Sequence, residues 1–284
     1  MITCSVIADS INPAGDRITT GLWTYPRFIH SEIMTHRMLA KNAASSRAIP
    51  VEKMIEAVED SPAMFEQYGA ANKGMSAQEE MDFEEQHNFK VEWMKTRQHC
   101  VNFANYWKGK AAKQLVNRVL EPWMHMTIII TGTDWHNFFA LRAHPAAQPE
   151  FQVLAYRWLS EYLKSEPEKK EWEKWHLPFI ESNHLDIDTQ KKVSTARCAR
   201  VSYTTHDRAK SVVDDIALHD RLLESGHMSP FEHQAQAVDN FGTQSEYFGC
   251  FKRWKPYRKF LPNENRTNVD LAEILANKPE WITL

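Results

Sequence analysis

The stretch Ile18-Thr19-Thr20-Gly21-Leu22-Trp23-Thr24-Tyr25-Pro26-Arg27-Phe28-Ile29-His30-Ser31-Glu32-Ile33-Met34-Thr35-His36-Arg37 decides how this chain is read. Its first six residues are rich in β-branched and aromatic types, which fit a pleated surface, so a strand is expected. Pro26 suits a helix start, because its missing N–H costs nothing in the first turn. Phe28, Ile29, Ile33 and Met34 then fall on one helical face. The expectation is a strand, then a helix carrying His36 and Arg37 at its far end. An Asn/Ala/Ser-rich segment, 42–47, follows, and a break is expected there.

Outward from this stretch, residues 1–24 read as strands. Pro50 starts a second helix with Met54, Ile55 and Val58 on one face. Ser76 followed by Glu79 has the spacing of a capping box. A long helical region then runs to about Leu120, with Phe89, Trp93, Val101, Trp107, Leu115 and Val119 as apolar positions and a break near Gly109. Asp134 is placed to cap a short helix through Arg142, and Pro149 to start another holding Leu154, Trp158 and Tyr162. Residues 164–187 are rich in Lys, Glu and Pro and read as a surface connection. Helices are expected near 188–201 and 209–225, the latter with Val212, Val213, Ile216 and Leu223 inward and Gly226 as a left-handed stop. Gln234 to Val238 reads as a strand. Few strands near the two ends, with helix between, make the class α+β.

Composition excludes several functions. The 284 residues carry a formal net charge of -3, which gives no global attraction to nucleic acid or anionic lipid. No run approaches the roughly 18 apolar residues of a membrane span. There are only 9 glycines, where roughly 20 would be usual. No two are separated by a single residue, so neither a G-x-G-x-x-G fingerprint nor a Walker A loop can be written. The four cysteines, Cys4, Cys100, Cys198 and Cys250, form no C-x-x-C pair, so no metal site is expected. They read as reduced thiols of a cytoplasmic protein.

Four clusters carry chemistry. Thr35-His36-Arg37 with Asn42, Ser45, Ser46 and Arg47 suits a phosphate, since hydroxyls donate and a guanidinium forks onto oxygens. Leu141-Arg142-Ala143-His144 ends a helix. Arg118 sits between Val116 and Val119, and an arginine on an apolar face needs a partner. Ala199-Arg200-Val201-Ser202 and Gly226-His227-Met228-Ser229-Pro230-Phe231-Glu232-His233 complete the set. The last places two His, one Ser and one Glu in eight residues. It fits no zinc spacing and lacks the nucleophile elbow of a hydrolase.

Together these blocks resemble the flavin-dependent thymidylate synthases. That family's Arg-His-Arg signature continues to a Ser eight residues after the second Arg and an Arg two later; His36, Arg37, Ser45 and Arg47 keep this spacing. Its Leu-Arg helix end is similar to Asn137 through Arg142, and its Ala-Arg-x-x-Leu-Pro block to Asn117 through Pro122. The block order is rotated, because Ala-Arg-Val-Ser precedes the Arg-His-Arg helix in the family and arrives here only at residue 199. The chain resembles a circular permutation, so the segments near 18–24 and 234–238 should lie close in space. It reads as one catalytic domain over 1–284: a first half 1–163, the connection 164–187, a second half 188–240 and a C-terminal extension 241–284.

The resemblance implies a small, mostly antiparallel sheet with long helices. It implies transfer of a one-carbon unit from methylenetetrahydrofolate to C5 of dUMP, reduced by FADH2 that NADPH regenerates. Ser45, Ser46, Arg47 and Arg118 would hold the phosphate. Arg142 would face the pyrimidine, with Glu32 nearby, and Arg142 and His36 are the expected catalytic pair. His36, Arg37, Asn137, Ser202, His227, Ser229 and Glu232 would line the flavin or folate region. A homotetramer with sites at subunit interfaces is implied, with no DNA and no membrane partner. Three positions depart from the family: Thr35 replaces the first Arg, Ala43 the Glu after the Asn, and Glu32 a frequent Gln. They leave open hydroxymethyl transfer to dUMP or dCMP, or nucleotide binding without catalysis. Lys255, Arg258 and Lys259 are candidates to replace lost positive charge.

Overall fold

A computed structural model describes residues 1–73, 79–181, 184–203, 211–239, 245–262, 264, 270–279 and 282. Five strands make the main sheet: β1 (Thr3–Ile11), β2 (Arg17–Pro26), β3 (Leu39–Ala43), β4 (His125–Gly132) and β5 (Glu168–Lys169). Their order is β3-β4-β2-β1-β5, antiparallel except for the β1–β5 pair. A second sheet, ordered β10-β7-β6, joins β6 (Trp175–His176), β7 (Ala235–Ala237) and β10 (Trp254–Pro256). A hairpin of β8 (Tyr247–Phe248) and β9 (Phe251–Lys252) lies between β7 and β10 in sequence. The helices are α1 (His30–Met34), α2 (Val51–Asp60), α3 (Phe83–Trp107), α4 (Lys113–Val116), α5 (Trp135–Arg142), α6 (Pro149–Lys164), α7 (Ile187–Arg200), α8 (Val212–Ser225) and α9 (Leu271–Ala276). The class is α+β, as the sequence predicts.

Strand alternation gives the main sheet two different faces. Trp23 and Tyr25 of β2 and Ile128 and Ile130 of β4 point one way, into a core with Trp135, Phe138, Leu154 and Trp158 from α5 and α6. Trp23, Trp135 and Trp158 meet with ring centroids 5.1 to 5.8 Å apart. Each ring contributes about 2–3 kcal/mol of hydrophobic stabilisation. A Cβ at Gly21 would sit 2.8 Å from the Trp158 ring, so glycine is kept where that ring crosses β2.

The other face is polar in part. Thr20, Thr131 and Asn42 point towards the second half of the chain. A buried chain of hydrogen bonds runs from Ser10 Oγ to His176 Nδ1 (2.9 Å) and from His176 Nε2 to Thr20 Oγ1 (2.8 Å). It continues from Thr20 to Thr131 (2.7 Å) and from Thr131 to His233 Nδ1 (2.8 Å). Burial holds both imidazoles neutral, with pKa values pushed down to about 3. A β-bulge between Val6 and Ala8 shifts the side-chain alternation along β1. It puts Ser10 on this face, while Cys4 packs on the tryptophan side.

Several expectations need correction. The helix after Pro26 is short: a 3-10 turn over Arg27–Ile29 leads into five residues of α1, which stop before His36 and Arg37. The segment expected to break at 42 begins inside strand β3. Ser76 of the expected capping box lies outside the described residues, and the box that starts α3 is Asp82 with Glu85. Asp134 precedes α5 but makes no cap hydrogen bond; its carboxylate accepts from Tyr247 instead. The connection 164–187 is not merely surface, because it supplies β5, β6 and the fully buried His176. In α8, Val213 is 75% exposed and the buried set is Asp215, Leu218, His219 and Leu222. The segment beyond 240 supplies core residues, since Phe251 and Trp254 are fully buried beside β7.

Other expectations hold. The break near Gly109 is real, with Gly109 at φ +77. Gly226 stops α8 at φ 71. Ile18 of β2 shares a buried cluster with Ala235 and Ala237 of β7, the neighbourhood that a rotated block order expects. No described helix is long and apolar enough to cross a membrane.

Candidate active site

Two polar groups gather at opposite ends of β3. At the first end, α1 stops at Met34, and the Thr35 hydroxyl donates back to the Glu32 carbonyl at 2.6 Å. The His36 ring then rests edge-on against Phe138 and Phe151, with centroids 5.1 and 5.8 Å away. Arg142, in the last turn of α5, lies over the Phe151 ring at 4.5 Å. Its Nε donates to His36 Nε2 at 2.9 Å and its Nη1 to Glu32 Oε2 at 3.0 Å. Burial, then the charges of Arg142 and Lys41, lower the His36 pKa to about 4. His36 is therefore neutral at physiological pH and accepts at Nε2. The Lys41 ammonium donates to the His36 backbone carbonyl. Thus Arg142 joins Glu32 and His36, more than 100 positions away in sequence, in one contact set.

The second end is built on Asn42, which is buried. Its Nδ2 donates to the Cys198 carbonyl at 3.0 Å. Its Oδ1 accepts from Ser202 Oγ at 3.1 Å and from Ser229 Oγ at 3.3 Å. One amide therefore ties β3 to the end of α7 and to the 3-10 turn Ser229–Glu232. The Ser45 N–H donates to the Ser202 carbonyl, which fastens the loop after β3 to the same place. Beside this junction opens a cleft of about 650 Å³, lined by Asn42, Ser45, Arg47, Lys113, Ser202 and His227 among others. That is within the size range of small-molecule sites. The Ser45 and Ser202 hydroxyls, a guanidinium and an ammonium there suit an anionic ligand.

Not every expected site residue faces this cleft. Ser46 is buried, and its hydroxyl donates to Glu121 Oε1 at 2.7 Å. Arg118 pairs with the same oxygen at 3.0 Å, and Arg27 takes Glu121 Oε2 at 3.1 Å. Glu121 thus holds both Ser46 and Arg118 away from the cleft wall. Glu232 accepts from Arg258 at 2.7 Å, and Lys259 pairs with Glu264, so these two basic residues are engaged within the chain. Lys255 lies over the Phe260 ring at 4.2 Å. Arg37 and Asn137 are exposed.

Some residues were invisible to sequence reasoning. Asn42 is a motif residue, but its triple role depends on segments up to 187 positions away. Lys113 and Gln114 reach the cleft only because the chain reverses after Gly109. Arg200 of the Ala-Arg-Val-Ser block is structural. With Arg197 it binds the fully buried Asp215 of α8, at 2.7 and 3.2 Å, and so clamps α7 to α8. The cysteines are free, and burial raises their thiol pKa values, to about 12 for Cys4 and Cys250, so they stay protonated. Among the described residues no group of three or more His, Cys, Asp or Glu is placed to hold a metal ion.

Among solved structures, a UMP/dUMP methylase PolB from Streptomyces cacaoi bound with 5-Br UMP is similar at 14% identity and a TM-score of 0.46, over 58% of this chain and 90% of that one. The same protein bound with 5-Br dUMP gives 13% identity and a TM-score of 0.48 over the same shares. No curated protein sequence matches. The family model described as thymidylate synthase complementing protein matches residues 17–168, which carry β2 to β4 and so both ends of β3. The chain belongs to that family, the flavin-dependent thymidylate synthases.

Proposed function

We propose that this protein methylates dUMP at C5. A one-carbon unit comes from methylenetetrahydrofolate, FADH2 reduces it to methyl, and NADPH regenerates the reduced flavin. The observation that carries this reading is the junction at Asn42. It draws Ser45, Arg47, Ser202 and His227 to one cleft from both halves of the chain. In this reading Ser45 and Arg47 hold the nucleotide phosphate. Arg142, oriented by Glu32 and His36, faces the pyrimidine and stabilises charge that develops on it. Neutral His36 keeps that guanidinium aimed without competing for a proton.

The polar surface fits a flavin held without a glycine cradle. Arg37 and Asn137 expose their side chains, and His227 lines the cleft. These residues, with Ser202, would hold the FAD, and Glu232 would border it through Arg258. A bound flavin supplies the hydride chemistry that no side chain here supplies. The Arg142 set and the Asn42 set lie at opposite ends of one five-residue strand. A complete site therefore pairs one end with the other end of a second copy, which supports a homo-oligomer, a tetramer by family resemblance. We also propose the rotated block order as a circular permutation. The shared cluster of Ile18 with Ala235 and Ala237 supports it, as does a family match confined to 17–168.

Growth of a thymidine auxotroph carrying this chain, with flavin absorbance of the purified protein, tests the reading. Mass spectrometry of the product from dUMP and dCMP separates methyl from hydroxymethyl transfer. No growth and no flavin, even after FAD is added, would refute it.

A further inference from the structure

The phosphate-binding wall of the cleft is the part where structure and motif disagree. Motif spacing assigns Ser46 and Arg118, yet both are held by Glu121. Among the described residues, those that line the cleft include two cations, Arg47 and Lys113, and no carboxylate. We propose that Lys113, with Gln114 beside it, supplies the second cationic contact to the nucleotide phosphate opposite Arg47. This rests on the reading of the cleft as the nucleotide site.

The local structure explains how Lys113 arrives there. Helix α3 ends at Trp107, and Gly109 adopts φ +77, which a side chain would disfavour. The chain reverses, and Ala112 begins the single turn of α4 with Lys113 first. The Lys113 ammonium donates to the Ala48 carbonyl at 3.1 Å. Ala48 closes a turn with Ser45, since its N–H donates to the Ser45 carbonyl at 2.9 Å. Inside that turn the Arg47 N–H donates to Ser45 Oγ at 3.3 Å. Lys113 thus anchors the loop that carries Ser45 and Arg47, with two of its three N–H donors left for a ligand. A phosphate monoester carries about -1.5 to -2 charge at neutral pH, which two cations balance. Lys113 is an exposed residue within the family match over 17–168 but outside the motif blocks read from the sequence.

Titration calorimetry with dUMP, and with inorganic phosphate as competitor, tests this. Lys113→Ala should weaken dUMP binding about tenfold, and phosphate competition in parallel, because a charged hydrogen bond is lost. Lys113→Arg should restore most of it. Arg118→Ala should weaken binding less than Lys113→Ala, and melting temperatures should match wild type. The proposal is overturned if Lys113→Ala stays within twofold, or if Arg118→Ala costs more. If wild type binds phosphate through Lys113 but not dUMP, the nucleotide reading falls and the anion site stands. If wild type binds neither, the anion site falls as well.

Discussion

Arg142 Nε donates to His36 Nε2 at 2.9 Å, so the imidazole proton resides on Nδ1. This single bond fixes a tautomer and accompanies a lowered pKa. Burial is the larger cause of the low His36 value and the Arg142 charge the second. Arg142→Ala should raise the His36 pKa above about 4 without returning it to 6.5, while abolishing turnover. A nitrogen-detected NMR titration of labelled histidine reads this. An unchanged His36 pKa would break the coupling.

Asn42→Ala removes one donor and two accepting contacts from a buried junction. A buried partner left unpaired costs about 1–3 kcal/mol. Ser202 borders the cleft and Ser229 is half-buried, so both hydroxyls can turn to water and about 2 kcal/mol is expected in total. Urea unfolding checks the stability. Nucleotide affinity should fall as well, because Ser202 and the Ser45 loop lose their common anchor.

Arg47 is exposed at the cleft and makes no side-chain bond among the described residues. Arg47→Ala should therefore leave stability unchanged and weaken dUMP binding about tenfold or more. Affinity within twofold of wild type would remove it from the phosphate site.

His176 and His233 should make the fold acid-sensitive. Their folded pKa values are lowered from 6.5 to about 3, so the unfolded chain takes protons first as pH falls. Stability from these groups is full above pH 6.5 and is lost as pH drops towards about 3. Each histidine costs about 1.4 kcal/mol per pH unit within that window. His176→Gln should flatten the pH dependence of the urea midpoint. An equally steep profile in that variant would show that other groups set it.

Gly21→Ala should destabilise the protein by about 1–3 kcal/mol, since a Cβ meets the Trp158 ring at 2.8 Å. Thermal unfolding reads this directly. If a smaller residue at 158 rescues Gly21→Ala, the clash itself is the cause.

Much of the helical frame was legible from the chain. Pro50, Pro149 and Gly226 punctuate helices because their backbone chemistry is local, and Met54, Leu154 and Trp158 declare their faces by spacing alone. Strand β3 was hidden, because Leu39–Ala43 has little β propensity and forms through pairing with β4. His176 read as surface because a Lys/Glu-rich flank says nothing of the threonine that waits across the sheet. Motif spacing singled out Ser45 and Arg47, which line the cleft, and Arg142, which binds His36 and Glu32 at the other end of β3. Spacing does not show that Glu121, inside the Asn117–Pro122 block, binds both Ser46 and Arg118, which therefore do not line the cleft.

The extra residue Ile7 in β1 works as a gear change. Up to Val6 the strand turns its even-numbered side chains towards the tryptophans; past Ala8 they turn the other way. Removing Ile7 would put Ser10 against aromatic rings and leave His176 with one bond fewer. A single missing codon far from any reactive group would then loosen the hold of the chain's later half on its earlier one.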